Sequence, residues 1–73
     1  KTLRNVSNLN ILVSVIHEEC AIADGLATGL IAMDPKNIIN FSNSNGIASM
    51  LTIVKNGKLE KSYSKEFSKY LSD

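Results

Sequence analysis

The stretch Cys20-Ala-Ile-Ala-Asp-Gly-Leu-Ala-Thr-Gly-Leu-Ile-Ala-Met33 decides the fold, because it reads as a helix that is small or apolar on nearly every side. Asp24 is its single formal charge. In a helix, Asp24 and Thr28 are one turn apart and share a face. The opposite side is predicted to carry the apolar stripe, formed by Ile22, Leu26, Leu30 and Met33. A lone carboxylate on such a helix needs a partner.

The surface beside the two polar residues is predicted to be small, flat and acidic. It is formed by Ala21, Gly25, Gly29 and Ala32. Each glycine inside a helix costs about 1 kcal/mol relative to alanine, so close contact with a ligand or another backbone is expected to offset it. A carboxylate and a hydroxyl are hard oxygen ligands, which suit Mg²⁺ or Ca²⁺ better than zinc or copper. A purely structural or solvated carboxylate is the alternative interpretation of Asp24.

The segments around this helix predict a strand, two helices, a β-hairpin and a short terminal helix. The strands are predicted over residues 11–16, 48–54 and 59–62, the second helix from Asp34-Pro35 to about residue 43, and the last helix over residues 64–71. Asn56-Gly57 is the pair preferred in two-residue type I′ hairpins. Residues 1–10 are polar and are predicted to be a connector with little structure. The order favours an α+β fold, a small antiparallel sheet with helices layered on one face.

The composition of the chain argues against several classes of function. The chain has 73 residues, with 8 Lys and Arg against 7 Asp and Glu, and no basic patch of the kind that nucleic acid requires. No apolar run approaches the length of a membrane-spanning helix. Cys20 is the single cysteine, so an intramolecular disulfide is impossible. A core of this size is marginally stable without metal or a partner surface, which leaves self-association open.

The sequence contains residues that could in principle form two other sites, a transition-metal site and a hydrolase triad. His17 and Cys20, with Glu18 or Glu19, provide too few ligands for a closed transition-metal site. A Ser14, His17 and Asp24 hydrolase lacks the G-x-S-x-G nucleophile elbow. Neither is favoured.

Several runs in the chain together carry a resemblance to a known family. They are Leu12-Val-Ser-Val-Ile16, Ala23-Asp-Gly-Leu-Ala-Thr-Gly-Leu30, Met33-Asp-Pro-Lys36, Gly46-Ile-Ala-Ser-Met-Leu-Thr-Ile53, Asn56-Gly57 and Tyr63-Ser-Lys-Glu-Phe67. In this order they resemble the C-terminal part of the ApbE family, the FAD:protein FMN transferases. The Asp-x-x-x-Thr on a small-residue helix is the most specific piece. The family's His-Ile-Ile-Asp-Pro stretch is absent, and its usual alanine after the aspartate is Gly25 here.

The resemblance implies that residues 11–73 are the C-terminal segment of a larger, T-fold-like flavin transferase domain, which continues from residues 1–10 into a missing N-terminal portion. It implies that Asp24 and Thr28 are ligands of Mg²⁺, although the residues do not separate Mg²⁺ from Ca²⁺. The implied substrates are FAD and a target flavoprotein that accepts FMN on a threonine or serine. The implied location is the periplasmic side of a bacterial inner membrane, with a lipid anchor upstream. The fragment alone is expected to be inactive.

A non-enzymatic interaction module is the second hypothesis. In that case the open alanine and glycine face of the helix docks another protein chain, and Asp24 pairs with a cation across the interface. Catalytic residues and direct FAD contacts are not assigned from the sequence.

Overall fold

Four strands and three helices make up the fold in the computed structural model, which describes residues 1–71. In chain order they are β1 (Thr2–Asn8), β2 (Ile11–His17), α1 (Cys20–Ile31), α2 (Pro35–Ser44), β3 (Ala48–Lys55), β4 (Lys58–Tyr63) and α3 (Lys65–Leu71). The strands form one sheet in the order β1-β2-β3-β4, with every neighbouring pair antiparallel. The predicted α+β class with an antiparallel sheet is therefore confirmed. None of the helices within residues 1–71 is long and apolar enough to cross a membrane.

The prediction of little structure in residues 1–10 is wrong, because β1 occupies most of them. β1 pairs with β2 along its whole length, from Thr2 opposite His17 to Asn8 opposite Ile11. β1 is an edge strand, where polar side chains are tolerated, and Val6 is its apolar contribution to the core. The pairing places β2 between β1 and β3, as predicted for a central strand. That residues 1–10 lead in from a longer protein stays a prediction.

The predicted hairpin turn and the predicted start of the second helix are confirmed. Asn56 and Gly57 have φ angles of 52° and 76°, the two positive values that a type I′ turn requires. Asp34 is the N-cap of α2, where its Oδ1 accepts a hydrogen bond from the backbone N–H of Lys36 at 3.0 Å, and Pro35 follows as the first helical residue.

The predicted apolar stripe of α1 is wrong at Ile22 and correct at Leu30. The buried residues of α1 are Ala23, Ala27 and Leu30, while Ile22 is 42% exposed. The two alanines are small, so the helix lies against β1 and β2 on their side rather than on the side of the larger residues. Leu26 and Met33 are partly buried at the edge of the core.

A cluster of buried serines fixes α2 and α3 to the sheet. Ser49 of β3 donates from Oγ to the Oγ of Ser42 in α2 at 2.6 Å. Ser64 lies just before α3, where its Oγ accepts from the backbone N–H groups of Ser49 and Phe67 and donates to the carbonyl of Ile47. All three serines are fully buried. Each hydroxyl is therefore satisfied, which removes the cost of burying it.

The main core lies on the face of the sheet that α1 and α2 cover. It consists of Val13, Val15, Ala23, Ala27, Leu30, Ile38 and Leu51. Because side chains alternate along a strand, Ser14 and Thr52 lie on the other face, and the hydroxyl of each is buried without a hydrogen-bond partner in residues 1–71. Val54 and Leu59, opposite each other on that second face, are 40% and 63% exposed.

Candidate functional site

Asp24 and Thr28 lie on the outer side of α1, away from the core. Both are exposed. Apart from the backbone of α1 itself, an added Cβ on Gly25 or Gly29 would meet no atom of residues 1–71 within 4 Å, so the surface beside them is open. Ala21 and Ala32 are exposed as well. The prediction of an open small-residue face beside the two polar residues is confirmed.

Arg4 of β1 is the partner that Asp24 finds in this structure. Its Nε lies 3.1 Å from Asp24 Oδ1, and the side chains of Arg4 and Asp24 are 43% and 58% exposed. Arg4 reaches α1 because it pairs with Val15, whose side chain points to the helix-covered face. The carboxylate is therefore paired but remains open to solvent.

Cys20, at the start of α1, is the third member of a cluster that it forms with Arg4 and Asp24. Arg4 donates to its Sγ from Nε at 3.1 Å and also from Nη2, and the thiol lies 4.0 Å from Asp24 Oδ2. The hydrogen bond to Cys20 and the charge of Asp24 raise the pKa of the Arg4 guanidinium above its ordinary value. Arg4 is therefore a permanent cation beside the candidate metal ligands.

Asp24 and Thr28 supply oxygen atoms, the kind of ligand that a hard divalent cation prefers. Two ligands are fewer than such a cation needs. Asp24 supplies a charged oxygen and Thr28 a neutral one, both exposed beside open space. Mg²⁺ takes six oxygen ligands and commonly keeps several waters, so two protein ligands provide only part of its coordination shell. Residues 1–71 contain no group of three or more His, Cys, Asp or Glu side chains that could hold a metal ion.

Within residues 1–71, the structure assembles neither a metal site at His17 and Cys20 nor a triad of Ser14, His17 and Asp24. His17 ends β2, and its Nδ1 accepts a hydrogen bond from the backbone N–H of Glu19 at 3.0 Å, so it serves the turn before α1. Ser14 points to the face of the sheet away from α1, whereas Asp24 is on α1. A Ser14, His17 and Asp24 triad is therefore not formed.

Two clefts lie near the helices, and neither is lined by Asp24 or Thr28. The larger, of about 520 Å³, includes Lys1, His17, Glu18, Phe41, Glu66 and Tyr70 in its lining. The smaller, of about 250 Å³, is an apolar groove between α1 and α2 lined by Gly25, Leu26, Gly29, Leu30, Met33 and Phe41. The groove lies next to the small-residue face of α1 and shares Gly25 and Gly29 with it.

Arg4 is the site residue that sequence reasoning missed. It lies in the segment predicted to be a connector, 16 positions before Cys20. The available signal was the alternation of Thr2, Arg4 and Val6, which assigns Arg4 to the same side of a strand as the core residue Val6.

Fold and site together define a small α+β unit, in which a four-stranded antiparallel sheet supports a helix that presents Asp24 and Thr28 to solvent. Comparison with solved structures gives a protein with this fold, a mutant form of the flavin transferase ApbE from Vibrio cholerae. The TM-score is 0.76 with 26% sequence identity, and the match covers 84% of this chain and 20% of that one. The resemblance to the ApbE flavin transferases is confirmed. Neither a model of a known protein family nor a curated protein sequence matches the chain.

Proposed function

We propose that this chain is the metal-ligand-bearing, C-terminal part of an FAD:protein FMN transferase. The observation that carries the proposal is the exposed pair Asp24 and Thr28, side by side on one helix of a unit with the fold of a flavin transferase. The matched unit is a fifth of the length of that transferase. The activity proposed here is therefore that of a longer protein that contains this segment, and the segment alone is expected to be inactive.

The proposed reaction transfers FMN from FAD to a target flavoprotein. The hydroxyl oxygen of a threonine or serine in the target attacks the FMN phosphorus and loses its proton to solvent, while the P–O bond of the pyrophosphate breaks and AMP leaves with its electron pair. A divalent cation such as Mg²⁺, when bound, supplies positive charge that offsets the negative charge on the pyrophosphate oxygens. Asp24 is the anionic anchor for it and Thr28 the neutral second ligand. The FAD contacts belong to the missing N-terminal portion, the intramolecular partner of this segment.

The location proposed for the whole protein is the periplasmic side of a bacterial inner membrane. The proposal follows from the resemblance to the flavin transferases alone. By that resemblance, the proposed lipid anchor lies near the N-terminus of the longer protein.

Substitution of the proposed anchor tests the function. In the longer protein, we expect Asp24→Asn to reduce Mg²⁺-dependent FMN transfer by at least about 100-fold, since the amide keeps the shape and loses the charge that binds the cation. Glu60→Gln is the matched control, because Glu60 is an exposed carboxylate on the distant strand β4. Transfer is measured as flavin fluorescence retained by the denatured target protein. Full transfer by Asp24→Asn contradicts the proposal.

A non-enzymatic docking module is the second candidate. The specific observation in its favour is the apolar groove of about 250 Å³ beside the open face of Gly25 and Gly29. Titration with Mg²⁺ and FAD, followed by NMR shifts at Asp24 and Thr28, is expected to move those signals if the chain belongs to a transferase. Shifts at the groove that depend only on protein concentration indicate self-association through that face instead.

A further inference from the structure

We propose that Arg4 is a built-in counter-ion that occupies the Asp24 carboxylate until a divalent cation displaces it, so that Arg4 sets the cation affinity of the site. The inference rests on the proposed function, because it assumes that Asp24 is a metal ligand. It adds a residue from β1 to a site otherwise built on α1 alone. Before the cation binds, the Asp24 carboxylate is paired with Arg4.

Arg4 and a divalent cation cannot both contact the Oδ1 atom of Asp24. Arg4 Nε lies 3.1 Å from Oδ1, so a cation coordinated to Oδ1 would lie against the guanidinium. Two positive charges at such a separation repel each other strongly, even near a protein surface. Within residues 1–71, the second oxygen, Oδ2, is contacted only by the thiol of Cys20, at 4.0 Å. A cation can therefore approach Oδ2, and full coordination requires Arg4 to leave.

The surroundings of Arg4 make that departure inexpensive. The side chains of Arg4 and Asp24 are each about half exposed, and ion pairs that are open to solvent are weak because water screens them. Arg4 also donates to Cys20 Sγ, so the guanidinium keeps a partner on α1 after it releases the carboxylate. The exchange leaves no buried charge unpaired, and β1 stays tied to α1.

A purely structural role for Arg4 predicts a different result. If Arg4 only ties β1 to α1, its replacement lowers stability and leaves cation affinity unchanged. If only the net charge of the chain matters, removal of any lysine raises affinity as much as removal of Arg4. Lys58→Gln is the matched control for charge, because Lys58 is an exposed cation on β4 at the far edge of the sheet.

The test measures binding of Mn²⁺, a paramagnetic substitute for Mg²⁺, to the ¹⁵N-labelled 73-residue chain. Binding is read from the broadening of amide signals around Asp24 as Mn²⁺ is added. We expect Arg4→Gln to bind Mn²⁺ about three- to tenfold more tightly than the unsubstituted chain, as removal of one exposed competing ion pair implies. Lys58→Gln is expected to change the affinity by less than about twofold, since its charge is screened at that distance. Urea unfolding of each variant checks that the fold is kept.

Arg4→Lys covers the case in which Arg4→Gln does not fold. Lysine keeps the charge and lacks the planar fork that contacts Asp24 and Cys20 together, so an intermediate gain in affinity is expected. Equal affinities in the Arg4 variants and the unsubstituted chain overturn the counter-ion role. Broadening that persists at Asp24 in Asp24→Asn, or that is absent from every variant, instead overturns the assignment of Asp24 as a ligand.

Discussion

Thr52 lies in β3 with 6% of its surface exposed, and its hydroxyl has no hydrogen-bond partner within residues 1–71. A buried hydroxyl without a partner costs about 1–3 kcal/mol relative to one in water. Thr52→Val keeps the branched shape and removes the hydroxyl. We therefore expect the free energy of unfolding to rise by about 1 kcal/mol, measured by urea denaturation followed by circular dichroism.

Two further variants separate the hydroxyl from the rest of the side chain. Thr52→Ser keeps the unpaired hydroxyl and removes a buried methyl, so it is expected to lower stability by about 1 kcal/mol. Thr28→Val makes the same exchange as Thr52→Val at an exposed helical position, where a change within about 0.5 kcal/mol is expected. Destabilisation by Thr52→Val would mean that the hydroxyl is hydrogen-bonded in solution.

The half of the site on α1 could be predicted from the sequence, whereas the contact of Asp24 with Arg4 on β1 could not. The spacing of Asp24 and Thr28 puts both on one helical face, since i and i+4 are neighbours in any helix. Their link to Arg4 depends on how β1 pairs with β2 and how α1 crosses both strands. Such contacts between residues far apart in the chain are set by tertiary packing, and the polar composition of residues 1–10 gave little indication of a strand.

At the scale of elements, the two glycines inside α1 give the clearest prediction. At both Gly25 and Gly29, the part of the chain that the structure describes has no atom outside the α1 backbone within 4 Å of the position of a Cβ. Alanine restricts the unfolded chain and favours the helix, so Gly25→Ala and Gly29→Ala are each expected to raise the free energy of unfolding by about 0.5–1 kcal/mol. The measurement is urea denaturation of the 73-residue chain.

Gly57→Ala provides a control of opposite sign. Gly57 has a φ of 76° in the hairpin turn, where alanine is strained although no atom would collide with its Cβ. A loss of about 1 kcal/mol is expected, since an L-residue disfavours the left-handed region. Destabilisation by Gly25→Ala would reveal that the open face is in contact with something in solution, which favours the docking hypothesis.

The elements that depend on local sequence were predicted well, and those that depend on packing were not. The Asp34-Pro35 helix start and the Asn56-Gly57 hairpin follow from backbone chemistry within a few residues. The buried side of α1 does not, because a helix that is small or apolar nearly all round has no single apolar stripe. Ala23 and Ala27 face the sheet because their small side chains permit close approach.

At the scale of the whole molecule, stability depends on a small core that lies mainly on the face of the sheet covered by α1 and α2. Within residues 1–71, the main cluster of this core has seven buried residues, three of them from α1 and one from α2. A chain of 73 residues is expected to have a free energy of unfolding of about 4–11 kcal/mol. Any surface of a longer protein that covers the second face would add to it, because binding to the native state alone stabilises that state.

Ile38→Ala measures how much of this stability one core contact supplies. Ile38 is the fully buried apolar residue through which α2 enters the core, and its truncation leaves a cavity between the helix and the sheet. We expect a loss of about 2–4 kcal/mol, measured by urea denaturation, whereas Leu59→Ala at a 63% exposed position should change stability by less than about 0.5 kcal/mol. A loss of about 4 kcal/mol from Ile38→Ala would remove about a third or more of the expected free energy of unfolding. Equal effects of the two substitutions would show that α2 is not packed on the sheet. In that case the buried hydrogen bond between Ser42 and Ser49 would also be absent.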